Sequence, residues 1–242
     1  MKFILFVLLF SITTTSFAMD SVKNRQEKLI SQLLTQQVSQ NISIKNSVSS
    51  LITLYPEKAD IILKIALGTY PRNYKDIIIG TIQAEPALSA SAVSAALQAN
   101  VAQCKEVVEI AINAEPAYAN EIIQAALKNS QDPIQNIVRV AVSTEPFISN
   151  SLLSNAKNKE TMLDILIGAI KAIPNQVVNL VKTTLQLFPD QSADVIKNAI
   201  NSSHQQFDQD IVKAAMNAGV EKELAIAAAI KGGANRDEFA KL

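Results

Sequence analysis

The chain has 242 residues with 22 basic and 22 acidic side chains, and a mean hydropathy of +0.17. That even balance excludes the electrostatic footprint of a nucleic-acid or anionic-membrane binder. A single cysteine excludes an intrachain disulfide, and with Trp absent and aromatics at 5%, the apolar mass is Ala, Ile, Leu and Val, a composition suited to closely packed helices.

The chain opens Met1-Lys2 and then runs apolar from Phe3 to Phe10, and a polar stretch from Ser11 leads to Phe17-Ala18. One positive charge, a short apolar run and small residues at Ser16 and Ala18 make the pattern of a secretory signal. Residues 1–18 are therefore read as a cleaved signal peptide and Met19 as the mature N-terminus. Loss of Lys2 leaves 21 basic against 22 acidic side chains. A membrane anchor would need roughly 20 apolar residues, about twice the run present, and no Cys follows that run to carry a lipid. The mature chain is expected to be soluble, without stable membrane insertion, in a secreted or periplasmic location.

Residues 19–54 read as N-terminal capping helices. Asp20 to Ser39 is polar and Gln-rich, with Leu29, Ile30, Leu33 and Leu34 giving one helical stripe. Gln40 to Leu54 carries Val48, Leu51 and Ile52 in the columns of the repeat that follows.

Residues 55–218 read as a helical repeat array. Prolines stand at 56, 71, 86, 116, 146, 174 and 189, at intervals of 15, 15, 30, 30, 28 and 15. Rows of 15 starting at Tyr55 align: YPEKADIILKIALGT, YPRNYKDIIIGTIQA, EPALSASAVSAALQA, NVAQCKEVVEIAINA, EPAYANEIIQAALKN and SQDPIQNIVRVAVST. A row opening EPFISNSLLSNAK follows. The register shortens by about two residues near Lys157–Lys159 and recovers at IPNQVVNLVKTTLQL and FPDQSADVIKNAINS. The eighth and ninth columns hold pairs such as Ile62-Leu63, Val107-Val108 and Ile122-Ile123. The twelfth and thirteenth hold Ala66-Leu67, Ala111-Ile112 and Ala126-Leu127, and the fifth holds Ala59, Tyr74, Ser89, Cys104, Ala119 and Ile134. Steps of 3, 1, 3 and 1 place these columns on one helix face, and alternation by two is missing.

Each row thus predicts one helix of about 12 residues and a tight turn. Proline in the second column suits a first helical turn, where its missing N–H costs nothing, and it ends the preceding helix. Glu85, Glu115 and Glu145 precede three of these prolines, where a carboxylate meets the positive end of a helix dipole. Those Glu-Pro pairs recur every 30 residues, so alternate helices differ and the unit is a two-helix hairpin. A helix this short cannot bury its apolar face alone, and hairpins must stack. The predicted fold is all-α: an α-solenoid, a right-handed stack of short antiparallel hairpins. With helices 8–10 Å apart, five or six hairpins make a rod on the order of 50 Å. Residues 219–242 read as a C-terminal cap and frayed tail, with Gly219 and Gly232-Gly233 as punctuation.

The 30-residue hairpin resembles the units of tetratricopeptide and HEAT-type α-solenoids. The tetratricopeptide signature of Trp, Gly-Tyr and Pro at a 34-residue period is missing, and the period is short for HEAT or armadillo units. The resemblance is to an architecture and implies no named family.

Candidate chemistry is sparse. His204, the only histidine, falls in the second column at a helix start and is expected to face solvent, without partners for a metal. Asp208 and Asp210 follow it but point in different directions on a helix. Cys104 occupies the inward fifth column, and the histidine that could activate it is about a hundred residues away, so a buried inert thiol is expected. Glu106 with Glu109, and Asp190 with Asp194, fall on outward columns as solvated faces. Asn41-Ile42-Ser43 and Asn201-Ser202-Ser203 match the glycosylation pattern, which matters only for a eukaryotic source. No phosphate loop, G-x-S-x-G or H-E-x-x-H occurs. Neither catalytic, cofactor nor metal residues are assigned. The sequence favours a non-enzymatic scaffold that binds a protein or peptide along one face. A structural or self-associating envelope component is the alternative, marked by exposed apolar residues on the terminal helices, and a hydrolytic enzyme, marked by a pocket of convergent polar groups, is the third.

Overall fold

A computed structural model describes residues 14–240 and 242, and side chains from residue 24 onward apart from 241. The first thirteen residues of the expected signal peptide lie outside the described residues. The described chain is all-helical, with no strand. Fourteen α-helices run α1 (Thr14–Ser39), α2 (Ile44–Leu54), α3 (Ala59–Thr69), α4 (Tyr74–Ala84), α5 (Ser89–Gln98), α6 (Cys104–Ala114), α7 (Ala119–Asn129), α8 (Ile134–Thr144), α9 (Ile148–Ser154), α10 (Lys159–Ala172), α11 (Val177–Leu187), α12 (Ser192–Ser202), α13 (Asp208–Asn217) and α14 (Lys222–Gly232). Each helix packs on the next in sequence. Odd-numbered helices also lie beside odd-numbered ones and even beside even, from α1 with α3 to α12 with α14.

The prolines work slightly differently from the sequence expectation. Pro56, Pro71, Pro86, Pro116, Pro174 and Pro189 each open a three-residue 3₁₀ turn, and the α-helix begins at the fifth column. The residue before each proline is held out of the helical region, as Tyr55 (φ −136°, ψ 63°) and Glu115 (φ −155°, ψ 84°) show. Glu85, Glu115 and Glu145 do cap these turns: each side chain accepts the N–H two residues on, from Ala87, Ala117 and Phe147 at 3.3–3.5 Å.

Other connections stop a helix without proline. Asn41 (φ 63°), Asn100 (φ 51°) and Gly219 (φ 94°) adopt the left-handed conformation after α1, α5 and α13. In each case the next N–H reaches back to a carbonyl five residues earlier, as Val220 does to Ala215 at 3.0 Å, which closes a Schellman motif. The shortened register has a physical origin as well. α9 ends after seven residues, and Asn158 starts α10 by accepting the Thr161 N–H at 2.8 Å.

The eighth, ninth and twelfth columns are buried from Ile62-Leu63 and Ala66 through Ile211-Val212 and Ala215, except for half-buried Ala156 in the shortened row. Polar residues that enter these columns close on their own helix: buried Thr81 and Thr184 donate to the Ile77 and Leu180 carbonyls at 2.8 and 2.7 Å. In the fifth column Ser89 and Ser149 donate to the Pro86 and Pro146 carbonyls. Neighbours within one set are tied by polar bridges, including Lys64–Glu27 between α3 and α1, Gln135–Asp164 between α8 and α10, and Lys159–Asp194 between α10 and α12. Close approach is concentrated at glycines. A Cβ on Gly80 would stand 2.5 Å from the Lys45 carbonyl oxygen of α2, and one on Gly168 would stand 2.7 Å from that of Gln135 on α8.

Two readings change at the C-terminus. The chain gains one residue before α13, so His204 takes the first column and Gln205 opens the 3₁₀ turn. Asp208 thereby moves into the inward fifth column and is buried at 3% exposure, whereas Asp210 is exposed. The closing stretch, read as frayed, carries a 3₁₀ turn over Arg236–Phe239 with Phe239 buried. The shift came from an inserted Ser203 that the proline spacing could not reveal.

Candidate binding surface

Two hollows lined by polar side chains lie on the face of α6, α8 and α10. Because α5 ends at a left-handed Asn100 and Ser130–Pro133 forms an extended link to α8, neither turn is filled by a Pro-led 3₁₀ segment. Between them lies a groove of about 480 Å³ lined by Lys105, Asn100, Gln103, Asn136 and Arg139 over an apolar floor that includes Val108 and Ile137. Arg139 also lines a second, more open hollow of about 560 Å³ with Glu109, Asn113, Ser143 and Lys171. Lys105, Glu109, Arg139 and Lys171 are all exposed, and none takes part in an ion pair among the described residues. Arg139 thus joins two hollows into one surface that crosses three helices.

The sequence-predicted candidates are scattered. Cys104 is buried at 7% exposure on the groove wall. Burial pushes its thiol above the ordinary range; a hydrogen bond with Ser130 opposes this, and the Asp132 carboxylate adds to it. A thiol held protonated is a poor nucleophile. Labelling of Cys104 by a thiol reagent at pH 7 is expected to be far slower in the native protein than in denaturant, and equal rates would contradict this burial. Glu106 is half-buried and accepts the Tyr74 hydroxyl at 3.1 Å, so it is a bridge between α4 and α6 more than a solvated face. Burial raises the Tyr74 phenol, and this bond with Glu106 adds to the rise. Asp194 pairs with Lys159, Asp190 is exposed, and His204 is exposed as expected. Asn41 and Asn201 are both exposed. Among the described residues no group of three or more His, Cys, Asp or Glu converges to hold an ion, and no single helix is long and apolar enough to cross a membrane.

Sequence reasoning missed Arg139. It occupies the tenth column of its row, where any exposed charge reads as a solvated face. Only the adjacency of α6, α8 and α10 shows that the outward columns of alternate rows add up to one surface. No protein-family profile, curated protein or solved structure matches this chain.

Proposed function

We propose that the chain is an exported α-solenoid, a right-handed stack of antiparallel helix hairpins, that binds an extended protein or peptide segment across α6, α8 and α10 without catalysing a reaction on it. The odd-to-odd and even-to-even neighbour pattern supports the solenoid, and the opening Met1–Ala18 signal pattern supports export. The observation that carries the binding assignment is the pair of hollows joined at Arg139, with charged groups that pair with nothing inside the fold. An exposed guanidinium presents a planar fork that matches a carboxylate in two parallel hydrogen bonds. Beside it, the half-buried Leu97, Ala102 and Val140 that also line the groove offer apolar contact. A segment with a carboxylate next to an aliphatic residue fits both.

The test is affinity capture from the native envelope or culture fluid, with N-terminal sequencing of the recovered bait. The wild-type chain is expected to begin at Met19 and to retain a partner that is lost with Arg139→Ala and kept with Lys28→Ala on distant α1. Retention of the same partner by Arg139→Ala would contradict the site, and recovery of a chain beginning at Met1 would contradict cleavage.

A second reading, self-association, is favoured by Phe147, which is 90% exposed, and by Leu54 at 65%. It requires a mass that rises with concentration in light scattering and falls with Phe147→Ser.

A further inference from the structure

The start of α13 buries a carboxylate, Asp208, close to the C-terminal strap. Asp208 takes the inward fifth column of its row, a position given elsewhere to Ala, Tyr, Ser, Cys, Ile, Met or Val and to no other charged residue. The serines there donate to a carbonyl three residues back, which an ionised carboxylate cannot do. Its Oδ1 is fully buried with no hydrogen-bond partner. Over the start of α13 lies the strap Ala234–Phe239, anchored by buried Ala234 and Phe239. Two glutamines of the α13 region hold it at Glu238: Gln209 donates to the backbone carbonyl at 2.9 Å and Gln205 to the carboxylate. The strap therefore brings a second carboxylate, Glu238, into the neighbourhood of the buried one.

We propose that the strap Ala234–Phe239 is a proton-gated cap on the last helix pair, held down when the Asp208–Glu238 pair carries a proton and loosened when both carboxylates are ionised.

The elements packed against α13 bring charges of both signs. α11 brings Lys182, and α12 brings Asp194 and Lys197. α14 brings Lys222, Glu223 and Lys231, and the 3₁₀ turns on either side bring His204 at one cap and Arg236, Asp237 and Glu238. On α13 itself, Asp210 pairs with Lys213 at 3.8 Å. Of all these charges only that of Glu238 acts appreciably on Asp208, and no cation compensates it. Burial first, and Glu238 second, push the Asp208 carboxyl up to about 6 from 3.8.

The direction follows from linkage. A raised carboxyl binds its proton more tightly in the closed state, so closure is favoured most below about pH 4. The advantage falls as pH rises through about 6 and is gone by about pH 7.5. With those two values, closure at pH 5 exceeds closure at pH 7.5 by about tenfold.

The experiment is hydrogen exchange on the full chain at pH 5.0 and 7.5, with rates corrected for intrinsic exchange, read over residues 229–240. The wild type is expected to lose about tenfold in protection at pH 7.5, while α6 to α8 change little. Asp208→Ala, which restores a residue that Ala59 and Ala119 show the column accepts, is expected to remove the difference and to keep pH 5 protection at pH 7.5. Asp208→Ser serves the same purpose if the alanine variant folds poorly. Equal protection of the wild-type strap at both pH values would overturn the proposal, as would a pH difference that survives in the Asp208 variants. The outcome is independent of whether Arg139 binds a partner.

Discussion

Replacing Gly168 by alanine is expected to destabilise the protein by up to about 2 kcal/mol net, although alanine is the better helix former. The new Cβ would stand 2.7 Å from the Gln135 carbonyl oxygen and 2.9 Å from the Val138 Cβ. Both belong to α8, and the nearer atom is main chain, so no rotamer change relieves the contact. Overpacking of this kind costs about 1–3 kcal/mol and at times more. The helix-propensity gain of Ala over Gly is about 1 kcal/mol, which reduces the net loss without reversing it at the tighter end. The control is Gly68, on exposed α3 backbone with nothing within 4 Å of an added Cβ. There the propensity and unfolded-chain effects act alone, and Gly68→Ala is expected to stabilise by about 0.4–1 kcal/mol. Thermal unfolding of the two variants beside wild type checks both signs, and a stabilising Gly168→Ala would show that α8 and α10 are further apart than described.

The second large effect is expected at Ile123. It lies in the ninth column of α7, 3% exposed, beside fully buried Ile122. Truncation to alanine removes apolar contact and leaves a cavity, at a cost of roughly 2–5 kcal/mol, against a whole-domain stability of only about 5–15 kcal/mol. Gln124, the next residue, is exposed and should accept alanine within about 0.5 kcal/mol. In the proposed stack, held by nearest neighbours, a central defect uncouples the halves, so Ile123→Ala is expected to lower the melting temperature clearly and to broaden or split the transition.

Much of the fold was legible because one residue type marked it repeatedly. Proline at a fixed column located helix starts to within three residues, and Ile122-Ile123 and their equivalents gave the buried face directly. The departures came where another device replaced proline. Asn100 reads as an ordinary polar residue, yet it closes a helix in the left-handed conformation and so helps to open the groove. Ser203 shifts the register by one, and that single step turns Asp208 from a helix-start solvated acid into a buried one. Phe239 was lost to the reading because an isolated aromatic near a chain end has no periodicity to place it. The candidate surface was the least legible part. Arg139, Glu109 and Lys171 each look like solvent-facing charge within their own row, and their convergence depends on which rows become neighbours, which no single row encodes.

Residue-resolved hydrogen exchange of Ile123→Ala against wild type shows whether stability passes between adjacent hairpins of the proposed stack. Protection is expected to fall most in α7 and in its neighbours α5, α6, α8 and α9, and the loss to fade toward α2 at one end and α13–α14 at the other. An equal loss of protection from α2 to α14 would contradict it, because that is the response of one globally cooperative core.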